Sequence, residues 1–131
     1  MNKKELKQNY LQTPRPMGVF QIRNLTNEKV WIGKSENLDG ILNRHEFALK
    51  ANGHQNKQLQ ADWNELGADK FAFEILEELE YRDNLDLKKE LEFLEDMWLE
   101  KLEPFGNKGY NEPKISREQR LQMIAANRKV D

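Results

Sequence analysis

The sequence predicts an α+β fold, a small three-stranded antiparallel sheet flanked by helices. Three observations predict it. Residues 17–33, MGVFQIRNLTNEKVWIG, read as two strands closed by a short turn. Residues 70–79, KFAFEILEEL, alternate enough to form a third strand. Between and after these stretches, apolar residues recur at helical spacing. The resulting order, β-β-α-α-β-α with optional terminal helices, is that of a compact α+β domain.

Residues 2–12 read as a short polar helix that the Pro14 and Pro16 pair ends. Residues 17–24 form the first strand, with Val19 and Ile22 among polar neighbours. Thr26, Asn27 and Glu28 supply a turn, and residues 29–33 return as the second strand. Asn37 is the expected N-cap of a helix over 38–51, where Leu38, Ile41, Leu42, His45 and Leu49 share one face. Asn52-Gly53 stops it. A second helix, over 55–66, stops at Gly67. After the third strand, Asp83 or Asn84 caps a long helix reaching Leu102, with Leu87, Leu91, Leu94, Trp98 and Leu102 as its core stripe. Pro104 and Gly106 open a loop that ends in Gly109-Tyr110-Asn111. Ser116 and Gln119 make a capping-box pattern for a last helix. The expected organisation is an N-terminal extension over 1–16, a domain over 17–111 and a C-terminal extension over 112–131.

Composition removes several function classes. The 131 residues include no cysteine, which excludes disulfides, thiolate metal sites and a cysteine nucleophile. No apolar run approaches a membrane span, and MNKKELKQNY has no apolar leader segment, so a soluble, cytoplasmic protein is expected. Charged residues make up 34% of the chain, yet the net charge is −2, which argues against nucleic-acid binding by bulk charge alone. Glu74, Glu77, Glu78 and Glu80 read as a solvated sheet edge. Arg117, Arg120, Arg128 and Lys129 form a modest basic cluster that suits either a phosphate backbone or an ordinary helix surface.

An ordered series of segments carries a family resemblance. Gly18-Val19-Phe20 and Trp31-Ile32-Gly33 stand as paired signatures in the hairpin. Asn43-Arg44-His45 follows in the first long helix, then the stretch from Gly53-His54 to Leu59-Gln60, then Asp62-Trp63-Asn64. FEILEEL, LEDMWLEKL and GYN complete the set. The chain resembles the GIY-YIG nucleases over residues 17–111. The resemblance implies hydrolysis of a phosphodiester with one divalent metal, Mg²⁺ or Mn²⁺, held by a single glutamate. A metal can both polarise the phosphoryl group and support the leaving oxygen.

The family's roles carry over unevenly. The metal-binding glutamate matches Glu95. Leu91, Trp98 and Leu99 surround it at helical spacing, so it reads as either a ligand or a rim residue reaching to water. The two signature tyrosines are Phe20 and Trp31, neither able to act as a base. The helix arginine is Ile41, with Arg44 one turn further on as either a substitute phosphate contact or an exposed helix residue. His45 reads as a satisfied core residue or as a catalytic imidazole. Arg23, Lys34, His54 and Asn111 are the remaining candidates for nucleic-acid contact. Three functions follow as expectations: a nuclease with an altered site using Arg44, His45 and Glu95; a catalytically weak or silent domain that retains binding to nucleic acid, DNA ahead of RNA; and a protein-interaction or regulatory module on the same fold. Targeting would draw on the terminal helices, self-association or a protein partner.

Overall fold

The computed structural model describes residues 15–84, 86–113 and 117–128. Among these residues, three strands and four α-helices follow in chain order. They are β1 (Gly18–Asn24), β2 (Val30–Ser35), α1 (Leu38–Lys50), α2 (Lys57–Leu66), β3 (Phe71–Glu78), α3 (Leu87–Leu102) and α4 (Arg117–Arg128). The sheet has the order β2-β1-β3 and is antiparallel throughout, as the sequence predicts. The expected helix over residues 2–12, and Ser116 of the capping-box pattern, lie outside the described residues.

Alternation along the strands sends successive side chains to opposite faces. Ile22, Trp31 and Phe73 are cross-strand neighbours, and they pack with Leu49 of α1 and with Leu59 and Trp63 of α2. Val19, Val30 and Ile32 face the other way, where Leu94, Trp98 and Leu99 of α3 cover them. The sheet is thus a central layer between α1/α2 and α3, and β2 is left as an edge strand. Gly18 is required at the start of β1. Its φ is 154°, and a Cβ there would collide with the Glu77 carbonyl oxygen of β3. The register shifts between Val19 and Phe20, so this close approach sits beside a bulge.

The helix ends correct the sequence reading in detail. Asn37 caps α1 as expected, accepting from the Gly40 amide at 3.1 Å. The stop after α1 is made by Asn52, which takes the left-handed conformation at φ 58°, while Gly53 does not need it. Asparagine tolerates that region because its short polar side chain bonds locally. The second helix starts at Lys57, two residues later than expected, and Asn56 caps it. The long helix starts later than expected. Asp86 is its cap, accepting from the Lys89 amide at 3.3 Å, and Asp83 and Asn84 belong to the turn before it. Several capping residues in succession leave local preference unable to choose among them. Leu102 is 38% exposed and drops out of the core stripe of α3, which keeps Leu91, Leu94 and Trp98 and gains Leu99.

Candidate active site

A cavity of about 430 Å³ opens beside the edge strand β2. The helices that supply it lie on opposite faces of the sheet, and their side chains meet past its edge. Phe20 of β1, Trp31 of β2, and Ile41 and His45 of α1 form one wall. Glu95 and Leu99 of α3 form the other, with Gly33 and Lys34 between. The cavity therefore brings together Phe20, Trp31, Lys34, Ile41, His45, Glu95 and Asn111. A second cavity of about 760 Å³ adjoins it, and Trp31, Asn111 and Glu112 line both.

The aromatic wall is built by close packing. Phe20 and Trp31 rings are 5.8 Å apart, and His45 lies 5.4 Å from Phe20 and 4.8 Å from Trp31. Gly33 is the cross-strand partner of Phe20. A Cβ at Gly33 would stand 2.7 Å from the Phe20 ring, so the ring occupies the space that a side chain there would need. Phe20 is 1% exposed, and it lines the cavity while presenting no hydroxyl to it.

Glu95 is 6% exposed, one helical turn from the buried Leu91 and Leu99. A carboxylate taken this far from water needs a cationic or hydrogen-bonding partner. Lys34 provides one, with Nζ 3.6 Å from Glu95 Oε1. Among the described residues, no group of three or more histidine, aspartate or glutamate side chains could hold a metal together. The fit to a divalent cation is therefore that of magnesium-type sites, where one carboxylate works with substrate phosphate and water. Glu112, exposed and lining both cavities, is a second carboxylate at the rim that sequence reasoning missed.

The histidines form a buried pair. His45 Nδ1 and His54 Nε2 are 2.8 Å apart, and both residues are less than a tenth exposed. Burial, then the neighbouring His54 and Arg44 charges, push the His45 imidazole down to about 4. Burial also holds His54 below the ordinary imidazole range, the largest influence on it. His54 lines neither cavity and stands behind His45. Arg44 is exposed on α1 and does not line the cavity.

The remaining candidates are engaged by the fold. Asn111 uses both amide atoms on one residue of β2, accepting from Ile32 N at 2.8 Å and donating to Ile32 O at 2.9 Å. It acts as an extra strand rung that ties the loop to the sheet edge. Tyr110, which sequence reasoning passed over, is 2% exposed. Its hydroxyl donates to Asp62 at 2.6 Å and accepts from the buried Asn24 at 2.9 Å. Burial, then the Asp62 bond, push its phenol above the ordinary range. Arg23 grips Glu74 through Nε at 2.7 Å and Nη2 at 3.0 Å, and also pairs with Glu28. It lies outside the cavity lining. Glu74 is accordingly a paired residue and not part of a merely solvated edge. Glu77 likewise accepts from Trp98 Nε1 at 2.9 Å.

A three-stranded antiparallel sheet thus lies between helices, with an aromatic wall facing the buried Glu95 across a cleft. Comparison with known proteins gives the family of this domain. A family model described as the GIY-YIG catalytic domain matches residues 16–111. The chain belongs to the GIY-YIG family. It is 32% identical over 94 residues to intron-associated endonuclease 1 of Enterobacteria phage T4, covering 72% of this chain. It spans only 36% of that relative's length. Two structures of the catalytic domain of the intron endonuclease I-TevI, one a point variant, have the same fold. The variant aligns with a TM-score of 0.64 and 28% identity over 77% of this chain and 97% of its own. The other, titled as a homing endonuclease, aligns with a TM-score of 0.60 and 30% identity over 75% of this chain and 99% of its own.

Proposed function

We propose that this chain is a divalent-metal-dependent endonuclease domain acting on DNA, with catalysis weakened by substitutions in the cleft. The observation that carries the reading is the cavity itself. It stays open, and it keeps Glu95, Lys34 and His45 on its walls although both tyrosines and the arginine are gone. A protein that had kept only the fold would have no need of a buried carboxylate facing a cleft.

Within this reading, Mg²⁺ or Mn²⁺ supplies Lewis acidity and counter-charge at the scissile phosphate when bound. Glu95 is the residue that would hold it. Lys34 lies close enough to Glu95 to set an ammonium beside a bound phosphate, and this cation is the nearest replacement for the arginine that Ile41 displaces. His45 offers a hydrogen-bonding ring nitrogen. Phe20 and Trp31 shape the wall and exclude water from one side, and neither can take a proton. The adjoining cavity would receive the strand that flanks the cleaved bond. Loss of one preorganised charge at a phosphoryl centre costs about a hundred-fold or more in rate, which is why slow turnover is expected.

Nicking of supercoiled plasmid tests the proposal. Slow conversion to open circles with Mg²⁺ or Mn²⁺, abolished by chelation, supports it. Equal cleavage with and without chelator contradicts it. Binding of DNA with no cleavage under any metal would favour the second reading, a silent binding domain, to which the hydroxyl-free Phe20 and the uncharged Ile41 already lend support.

A further inference from the structure

We infer that His54 is a positioning residue that locks His45 in a single tautomer, with its proton on Nε2, so that His45 meets the cleft as a hydrogen-bond donor and not as a base. Two linked hydrogen bonds set this direction.

The chain starts at a group whose role is not adjustable. A backbone N–H can only donate. Asn56 N lies 3.0 Å from His54 Nδ1, so that ring nitrogen accepts and carries no proton. A neutral imidazole then has its proton on the other nitrogen. His54 Nε2–H therefore donates across the 2.8 Å contact to His45 Nδ1. His45 Nδ1 is the acceptor, and the His45 proton resides on Nε2. The opposite arrangement would place Nδ1–H on His45 and require a bare Nε2 on His54. The His54 proton would then sit on Nδ1, pointing straight at the Asn56 N–H.

The segment around His54 is built to hold it. Its own amide donates to Gln60 Oε1 at 2.9 Å, and Gln60 Nε2 donates to Leu49 O and Asn64 Oδ1, both at 3.0 Å. Asn56 is fixed as the cap of α2 and donates through its side chain to Tyr110 O at 2.5 Å. The donor that sets the direction is thus anchored to two elements. At the other end, His45 Nε2 has no hydrogen bond among the described residues. Gln21 Oε1 is the one buried, unpartnered side-chain polar atom among the described residues. The Nε2 atom is therefore reached by solvent, on a residue that lines the cleft. Burial disfavours the charged form of both rings and keeps them neutral near pH 7.

The chemical consequence is specific. His45 can donate to a non-bridging phosphate oxygen or orient the attacking water through its oxygen. It cannot accept the water's proton at Nε2. Its part in cleavage rests on the function proposed above, whereas the tautomer does not.

The chain holds two histidines, so long-range ¹H–¹⁵N correlation on the full ¹⁵N-labelled protein at pH 7.5 resolves both rings. The expected spectrum shows two neutral imidazoles, each protonated at Nε2. A His45 proton on Nδ1, or either ring charged, overturns the inference whatever the protein cleaves. Two variants add a functional readout. His54→Gln keeps an N–H donor toward His45, and His45 should remain an Nε2–H tautomer with most of the cleavage retained. His54→Leu removes the donor. The Nδ1–H population of His45 should rise, and metal-dependent cleavage should fall about 10- to 100-fold. Equal loss of cleavage in both variants with no change in tautomer would reduce His54 to a packing role and refute the positioning. If His54→Leu does not fold, the wild-type and His54→Gln spectra decide. The expected tautomer in a protein that never cleaves DNA would leave this inference standing and reject the proposed function alone.

Discussion

Ile41→Arg asks whether the cleft still works as a phosphate site. Ile41 lies on the cavity wall one helical turn before His45, and it is only half-buried. Full burial of an isoleucine is worth about 2 kcal/mol, so removing this one sacrifices about 1 kcal/mol of apolar contact. The new guanidinium would enter an open, solvated cleft with Glu95 and Glu112 on its walls, so it escapes the several kcal/mol that an unpaired buried charge costs. For a domain of this size, each kcal/mol moves Tm by about 3–5 °C, which sets the expected drop at about 5 °C. The expected gain is larger. A preorganised cation at a phosphoryl centre is worth about 3 kcal/mol, or about a hundred-fold in rate. Thermal melts and a plasmid-nicking time course on the same preparation measure both. A folded variant that binds DNA and cleaves no faster than the parent refutes the reasoning, because Ile41 would then not face the phosphate. Addition of Phe20→Tyr should raise the rate further at little cost to packing.

Three other perturbations test the parts that shape the cleft. Tyr110→Phe leaves the Asn24 amide, which is fully buried, without its acceptor, so it should cost about 1–3 kcal/mol and lower Tm, with the Asp62 side losing less. Gly33→Ala forces a methyl against the Phe20 ring and should cost about 1–3 kcal/mol in urea melts while disturbing the cleft wall. The histidine pair predicts a pH dependence of stability. His45 is held at about 4 when folded, below its ordinary value of 6.5, so the unfolded chain binds the extra proton first. Its contribution is fully present above about 6.5 and is lost as pH falls toward 4, with His54 acting in the same direction. Urea melts from pH 7.5 to 4.5 should show this loss, and a flat profile would argue against a buried neutral pair.

The fold was legible because its signals are local and periodic. The strands alternate, the helices repeat their apolar face, and the order of segments sets the sheet between them. The cleft was legible through the family resemblance, which aligned Phe20, Trp31, Ile41, His45 and Glu95 before any geometry. Less visible were contacts between residues far apart in sequence. Arg23 reads as a free strand cation until the antiparallel register places Gln21 opposite Glu74 and brings Arg23 within reach of that carboxylate. Asn111 lines the cleft, but nothing local announces that both its amide atoms bond Ile32 and tie the loop to the sheet edge. Tyr110 carries no local signal of its bonds to Asn24 and Asp62, although a tyrosine between a glycine and a loop asparagine is the residue type that joins apolar packing to a polar anchor. The His45–His54 link joins a helix face to the loop beyond it, and helical periodicity ends before that loop begins.

The central claim is that Glu95 serves metal-dependent cleavage. The most direct test is the ratio of plasmid-nicking rates between the parent chain and Glu95→Ala, measured in Mn²⁺ and Mg²⁺ with folding verified by circular dichroism. The account predicts slow nicking by the parent in at least one metal, none with chelator, and loss to background in the variant. Undiminished nicking by a folded Glu95→Ala would contradict it.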